Sequence, residues 1–403
     1  MLSLFKRRDP KDDFAHRVMR RLKERGWPHE VRYERAEFAL IVDERGAQLN
    51  LGRLFQEWRA HPKPERSTQL DRVIAPVLES RMGDSYEEAA PRLLPVVRSL
   101  TELQAGLMEG EPPAIEVWQD YRMLVSPLAA ILAVDLPNTT ALLPKERAAE
   151  WGYSSDELMA IALENLIARS PVRFTLQDGG FYLSDYPDGY DASRLLLPEL
   201  FLALQLPGDP VAVAVQRNKV VVAGSEDPEA LAAMAAFVVE DFAATTRPLS
   251  YQPLILRDRN WLAFDPEPAA QLAAVRELSR RQHLWDCDIQ TPRLELYLGH
   301  LGEDVFVAPL EVTALDDAPY TWSSWTENVP ALLPRADGLG LTTADGRRLF
   351  RTWDAIEAVC GPFTQDERFH PPRHRAPPWP SGEAWRRLEA EFPTPDWWEE
   401  NLR

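Results

Sequence analysis

The chain has 403 residues, with 45 Lys and Arg against 63 Asp and Glu, a formal net charge of −18. That balance argues against DNA or RNA as a partner, because binding phosphates needs a positive surface. Hydrophobic residues make up 45%, enough for a real core, and two cysteines cannot build a disulfide framework, which fits a reducing compartment.

At the N-terminus the apolar Met1–Phe5 precedes Lys6-Arg7-Arg8, the reverse of the order in a signal peptide. No apolar run reaches the ~18 residues of a spanning helix. A cytoplasmic protein without an integral membrane segment is therefore expected. Residues 1–35 hold 11 basic and 6 acidic side chains, so the rest of the chain is more acidic still. Phe14, Val18 and Leu22 recur at helical spacing between basic flanks. Such a helix docks its single stripe on the core, or it touches an acidic membrane surface or partner.

Short alternating runs at Glu30–Arg35, Glu37–Val42 and Ala47–Leu51, with a turn at Asp43–Gly46, predict a three-stranded meander. Helical patterns follow at Gly52–Arg59 and Leu70–Arg81, and strand-like runs at Pro95–Leu100, Ala130–Asp135 and Thr139–Leu143. Residues 154–265 are the most regular. The capping box Ser154–Glu157 opens a helix, and Asp178-Gly179 sits between two strand-like runs. A second helix is expected from about Asp191 to Leu204. A hairpin around Arg217-Asn218 comes next, with Asn218 able to take a positive φ. Then follow a helix capped by Asp227 with Pro228 at its first position, and a third strand pair, Leu254–Leu256 with Trp261–Phe264. Three repeated helix–hairpin units predict an α+β fold, an antiparallel sheet with helices on one face. The alternating Val and Ala of Val211–Val215 suit a strand covered on both faces.

A second, smaller α+β domain is expected over residues 266–403, after a first domain at 1–265. It should contain a helix at 267–281, strands at Leu294–Leu298, Val305–Leu310, Leu339–Thr342 and Arg348–Phe350, and a helix at Trp353–Val359. Seven prolines between 371 and 395 read as extended chain with one short helix near Glu383–Ala390, and nine of the 13 tryptophans lie in residues 261–403.

The run Asp188-Gly-Tyr-Asp-Ala-Ser-Arg-Leu-Leu-Leu197 resembles the YtpQ-like family of uncharacterised bacterial cytoplasmic proteins. Pro95–Ser99, Ala133–Leu136, Ala162–Leu166 and Val211–Ala223 point the same way. The resemblance spans about residues 10–265 and leaves the C-terminal third unplaced. It implies fold extent and compartment, and it carries no activity.

Asp188, Tyr190, Asp191, Ser193 and Arg194 form the best local constellation for binding, with Arg98 after a predicted strand as a second element. Two carboxylates, a hydroxyl and a guanidinium at a helix start could hold a polar ligand or place a general base. The mechanical alternative is a turn at Asp188-Gly189, a cap at Asp191 and an ion pair from Arg194, which turn and cap preferences explain on their own. Metal sites look poor, since Pro371 and Pro372 break the helix that His370 and His374 would need. The Cys287 thiol, between two aspartates, should be a weak nucleophile. No CxxC, HExxH, GxSxG or phosphate-binding glycine loop occurs, and no cofactor or metal is expected. Tyr320, Trp322, Trp325, Trp379, Trp385, Trp397 and Trp398 offer either core packing or a surface for partners and flat ligands. The favoured expectation is a non-enzymatic binding or adaptor protein with a protein partner, its small-molecule ligand unknown. The alternatives are an enzyme of undetermined reaction using Asp188, Asp191 and Arg194, and peripheral membrane association through the basic N-terminal helix.

Overall fold

The computed structural model describes residues 9–27, 29–42, 48–79, 85–110, 113–117, 119–137, 139–245, 248–266, 272–315, 318–395 and 398. They form a mixed α+β fold with multiple helices and antiparallel sheets. Two compact units are present, Met1–Pro95 with Leu132–Leu166, and Val96–Ile131 with Ile167–Arg403.

In the first unit α1 (Pro10–Glu24) starts where the Asp9 carboxylate accepts the Lys11 N–H, with Pro10 at the first helical position. Phe14, Val18 and Leu22 are fully buried, in one cluster with Leu40, Leu51, Phe55 and Ile74. The helix thus turns its apolar stripe inward. β1 (Arg32–Glu34), β2 (Ala39–Ile41) and β3 (Gln48–Asn50) make the expected antiparallel meander. Its Asp43–Gly46 turn lies outside the described residues, as do Met1–Arg8. α2 (Gly52–Ala60) and α3 (Arg66–Glu79) add Phe55, Val73 and Ile74 to the cluster. α4 (Tyr86–Ala89) then leads into β4 (Leu93–Ser99), buried along its whole length.

β4 continues into the second unit, where the Ser99 hydroxyl caps α5 (Leu100–Met108). β5 (Tyr121–Val125) pairs antiparallel with β6 (Leu128–Asp135). The last residues of β6 belong to the first unit and pair with β7 (Thr140–Leu142). α6 (Lys145–Glu150) and α7 (Ser155–Ala168) follow. The capping box forms as predicted: the Glu157 N–H donates to Ser154 Oγ at 3.3 Å and the Ser154 N–H to Glu157 Oε2 at 2.8 Å. Asn165 Nδ2 donates to the carbonyls of Ala90 and Leu93, fixing α7 against the chain entering β4.

The second unit continues with β8 (Phe174–Leu176), β9 (Tyr182–Ser184), a 3-10 turn (Ala192–Leu196) and α8 (Pro198–Leu202). Pro198 holds Leu197 out of the helical region, so the helix expected over 191–204 breaks in two. β10 (Pro210–Gln216), β11 (Lys219–Gly224), α9 (Pro228–Ala244), β12 (Leu254–Arg257) and β13 (Asn260–Ala263) complete an all-antiparallel sheet of order β13-β12-β10-β11-β9-β8. The positive-φ turn residues are Asp258 and Arg259 of the third hairpin, not Asn218. Val211, Val213 and Val221 on one sheet face pack with Leu231 and Met234 of α9. On the other face Trp261 meets Phe201 edge-on at 5.0 Å and donates its indole N–H to the Leu195 carbonyl at 2.7 Å. Val211–Val215 is accordingly buried throughout.

α10 (Ala273–Leu301) runs through Pro292 as a single helix of 29 residues, where the sequence predicted a shorter helix and a strand at Leu294–Leu298. Pro292 offers no N–H, and the carbonyls beside the break are met by side chains. Thr291 Oγ1 donates to Cys287 O at 2.7 Å and Arg293 Nη1 to Ile289 O at 2.9 Å. Beyond it come β14 (Phe306–Val307), β15 (Glu311–Leu315), β16 (Ala318–Thr326), β17 (Ala331–Leu333), β18 (Gly338–Thr342), β19 (Arg348–Thr352), α11 (Trp353–Cys360), β20 (Thr364–Asp366), β21 (Arg373–Arg375) and α12 (Gly382–Glu391). They build two four-stranded sheets, β14-β17-β21-β20 and β15-β16-β18-β19, each with one parallel pair. Among the described residues no helix is long and apolar enough to cross a membrane.

The Asp227 carboxylate accepts the Ala230 N–H at 3.0 Å at the start of α9, the helix over the sheet centre. Asp227→Ala should lower stability by about 1 kcal/mol in urea denaturation, the usual contribution of such a cap.

Candidate functional site

The constellation around Asp188 is assembled, and apart from Asp188, whose side chain is 24% exposed, it is buried. Arg194, 1% exposed, donates from Nη1 and Nη2 to the two Asp188 oxygens at 2.9 and 2.8 Å, and from Nη2 to the Arg169 carbonyl at 3.1 Å. Its guanidinium carbon lies 3.6 Å from the centre of the Tyr186 ring. Burial pushes the Asp188 carboxyl up, but the Arg194 hydrogen bonds and charge more than offset it and leave its pKa low. The Tyr190 N–H donates to Asp188 Oδ1 at 3.2 Å, closing the turn in which Gly189 has φ +74°.

Asp191, also 1% exposed, makes no helix cap. Its Oδ1 accepts the Tyr186 N–H at 3.4 Å, its Oδ2 has no hydrogen-bond partner, and burial raises its pKa. Ser193 Oγ accepts the Val97 N–H at 3.4 Å, so the end of β4 does lie beside this turn. Arg98 makes no hydrogen bond to Asp188, Asp191 or Ser193 but lies close enough to Tyr190 for their charges to interact. Its Nη1 donates to Val97 O at 2.8 Å, and burial, then the charge of Arg217, pull its pKa down to about 10. None of these residues lines either cleft described below.

A second polar group lies inside the unit, along α10. Gln282 Oε1 accepts from Ser250 Oγ at 2.8 Å and from the Tyr251 N–H at 2.6 Å, while Gln282 Nε2 donates to Asp286 Oδ2 at 2.9 Å. Burial drives the Asp286 carboxyl up to about 6 and the Cys287 thiol up to about 12. The weak nucleophile read from the Asp286–Asp288 run is thus weak first through burial. Gln290 Oε1 accepts from Arg373 Nε at 2.5 Å, and Gln290 Nε2 donates to the Pro371 carbonyl at 2.7 Å. His374 sits in β21, in register with Leu333 and Gln365. Among the described residues no group of three or more His, Cys, Asp or Glu could hold a metal ion.

The C-terminal aromatics separate by strand parity. In β16 the residues Thr321, Ser323 and Trp325 face inward and are buried. Trp325 joins Leu339, Leu341, Trp353 and Trp385 in a core cluster, with Trp379 4.8 Å from it edge-on. Trp322 and Ser324 point to the opposite face, which carries a cleft of about 420 Å³, within the range of small-molecule sites. Glu311 of β15, Trp322, Ser324, Gly340, Thr342, Arg348 and Phe350 form its sheet-side lining, and Thr394 and Trp398 its far wall. Trp398 stacks on Phe350 at 3.7 Å and meets Trp322 edge-on at 4.9 Å. Trp397 lies outside the described residues.

Glycine in β18 makes this arrangement possible. A Cβ on Gly338 would stand 2.7 Å from the Phe350 ring, so only a bare backbone lets that ring lie across the strand. The buried indole N–H of Trp322 has no hydrogen-bond partner. Phe350, Glu311 and Arg348 escape a motif search. The signal for them was the Trp322–Trp325 spacing of three in a strand together with Gly338 and Gly340 on its neighbour. A larger cleft of about 700 Å³ holds Arg276, Arg280, His283, Arg335, Asp337 and Asp354. Its charges are largely paired internally, as Arg335 with Asp354 at 2.7 Å and Asp337 with Thr321 at 2.7 and 2.8 Å.

Two substitutions separate architecture from chemistry. Arg194→Ala, which strands Asp188 and empties the space over Tyr186, should cost about 3–5 kcal/mol of unfolding free energy. Asp286 is protonated more readily folded than unfolded. Its ionisation therefore destabilises the fold progressively as pH rises from about 4 to about 6. Asp286→Asn should be more stable than the parent by roughly 3 kcal/mol above pH 7 and indistinguishable below pH 4, as measured by urea denaturation against pH. No family model matches this chain, and no curated protein or solved structure does either.

Proposed function

We propose that this chain is a non-enzymatic, cytoplasmic small-ligand-binding protein, YtpQ-like over about residues 10–265, whose binding site is the aromatic cleft within residues 266–403. The observation that carries this reading is the cleft itself. Three aromatic rings and two charged side chains with no ion-pair partner among the described residues surround a volume fit for a small molecule. The adjacent hairpins of the β13-to-β8 sheet support the helix–hairpin reading of residues 154–265.

The enzymatic alternative draws less support, because Asp188 is held in a bidentate pair with Arg194, and Asp191 and Ser193 are 1% and 2% exposed. Membrane attachment through α1 has to manage without the apolar stripe, which is buried.

A thermal-shift survey of the full chain against small cationic, anionic and flat aromatic compounds tests the proposal. Compounds that raise the melting temperature of the parent should fail to raise that of Trp322→Ala or Trp322→Phe. If every stabilising compound acts equally on parent and variants, the cleft is not the binding site.

A further inference from the structure

Resting on that reading, we propose that the cleft takes an elongated zwitterion, with an alkylated ammonium at one end and a carboxylate at the other. Strand register gives the cleft its polarity. Glu311 stands directly opposite Trp322, and Trp322 opposite Gly338. The Phe350 ring lies over Gly338 and carries Trp398 on its outer face. The three rings therefore gather at the row of Glu311. Arg348 pairs with Thr342, four residues along β18 from Gly338, at the opposite end of the sheet face.

With Phe350 covered by Gly338 and Trp398, the cation is met by the indoles of Trp322 and Trp398, whose quadrupoles attract it, and the neighbouring carboxylate adds to that attraction. The ammonium should be alkylated, because the rings and the glycine floor offer few acceptors for N–H groups, and burying unpaired donors is costly. The acidic remainder of the chain favours cations in general. Arg348, which has no carboxylate partner among the described residues, supplies a fork for the anionic end.

Sheet geometry also sets the length. Glu311 and Arg348 are three strand spacings and four residues apart, about 19 Å between Cα atoms for a regular sheet. Both side chains stand off the same sheet face, and fully leaned toward each other across the cleft they leave on the order of 8–10 Å between the ligand's charges. A six-carbon ω-trimethylammonio acid has about that span, and glycine betaine is far too short.

Isothermal titration calorimetry of the full chain with 6-(trimethylammonio)hexanoate tests the inference, with near-ultraviolet circular dichroism to verify folding of each variant. Binding should weaken at least about tenfold in Trp322→Ala and in Glu311→Gln, with Trp322→Phe intermediate. Hexyltrimethylammonium, which lacks the carboxylate, should bind the parent more weakly than the zwitterion and bind Arg348→Gln equally well. Glycine betaine should bind more weakly than the six-carbon acid. The inference is overturned if 7,7-dimethyloctanoate, the uncharged-end isostere, binds as tightly, or if Arg348→Gln keeps its preference for the carboxylate. It is also overturned if the zwitterion does not bind. Should other compounds still depend on Trp322 in the thermal-shift survey, the cleft remains a binding site for a different chemistry. If none does, both readings fall.

Discussion

The second unit depends on a buried polar ladder along one side of α10. Gln282, Asp286 and Gln290 recur every four residues, one to a turn of the helix, and are 3%, 5% and 1% exposed. The two glutamines bind chain from other parts of the unit, residues 250–251 at one end and 371–373 at the other. Gln104 of α5 does the same for the stretch before β21, donating to the Arg368 carbonyl at 2.7 Å and accepting the His370 N–H at 2.9 Å. Each contact satisfies backbone groups that a proline-rich, irregular segment cannot pair by itself. The cost is carried by Asp286, whose carboxyl belongs to the ladder but is held in surroundings that favour its neutral form. Arg373, wholly buried, is bound there by neutral acceptors, Gln290, Thr291 and the Ala308 carbonyl.

From that anchored segment the C-terminal sheets follow. β21 pairs with β17, which lies parallel to β14, and β16 crosses to the second sheet. Because strand side chains alternate, one strand can serve two purposes. Trp325 closes the core, and Trp322, three residues earlier, is left on the far face, where Trp398 meets it edge-on. The glycines of β18 remove the side chains that would otherwise fill that face, so the Phe350 ring settles on the backbone and Trp398 settles on the ring.

Much of the fold was legible because local chemistry and tertiary packing agree there. The Ser154–Glu157 box, the Asp227 cap with Pro228, the Leu40 meander and the doubly covered Val211–Val215 strand all appear where pattern placed them. The failures share a cause, which is stabilisation from side chains distant in sequence or facing an unforeseen partner. Leu294, Leu296 and Leu298 alternate like a strand, but Leu294 and Leu298 are four apart and buried while Leu296 is 58% exposed, the signature of a helix face. Pro292 hid that continuity, which Thr291 and Arg293 support by binding the carbonyls of Cys287 and Ile289 on either side of the one it leaves unpaired. The tryptophans were visible as a cluster, yet only strand register could divide them between core and cleft.

The Asp188 constellation and the aromatic cleft show why residue type alone does not identify a site. Both contain polar atoms without partners: Arg194 Nε and Asp191 Oδ2 in the first, Trp322 Nε1 in the second. Each unsatisfied buried group costs about 1–3 kcal/mol. Around Arg194 that cost is absorbed by the bidentate pair with Asp188 and the stack on Tyr186, and with the side chain 1% exposed no ligand reaches it. At Trp322 the indole N–H is just as buried, but the residue also lines an open cleft. The C-terminal rings border space that a ligand can enter, whereas Arg194 and Asp191 of the acid–arginine turn are enclosed by the fold.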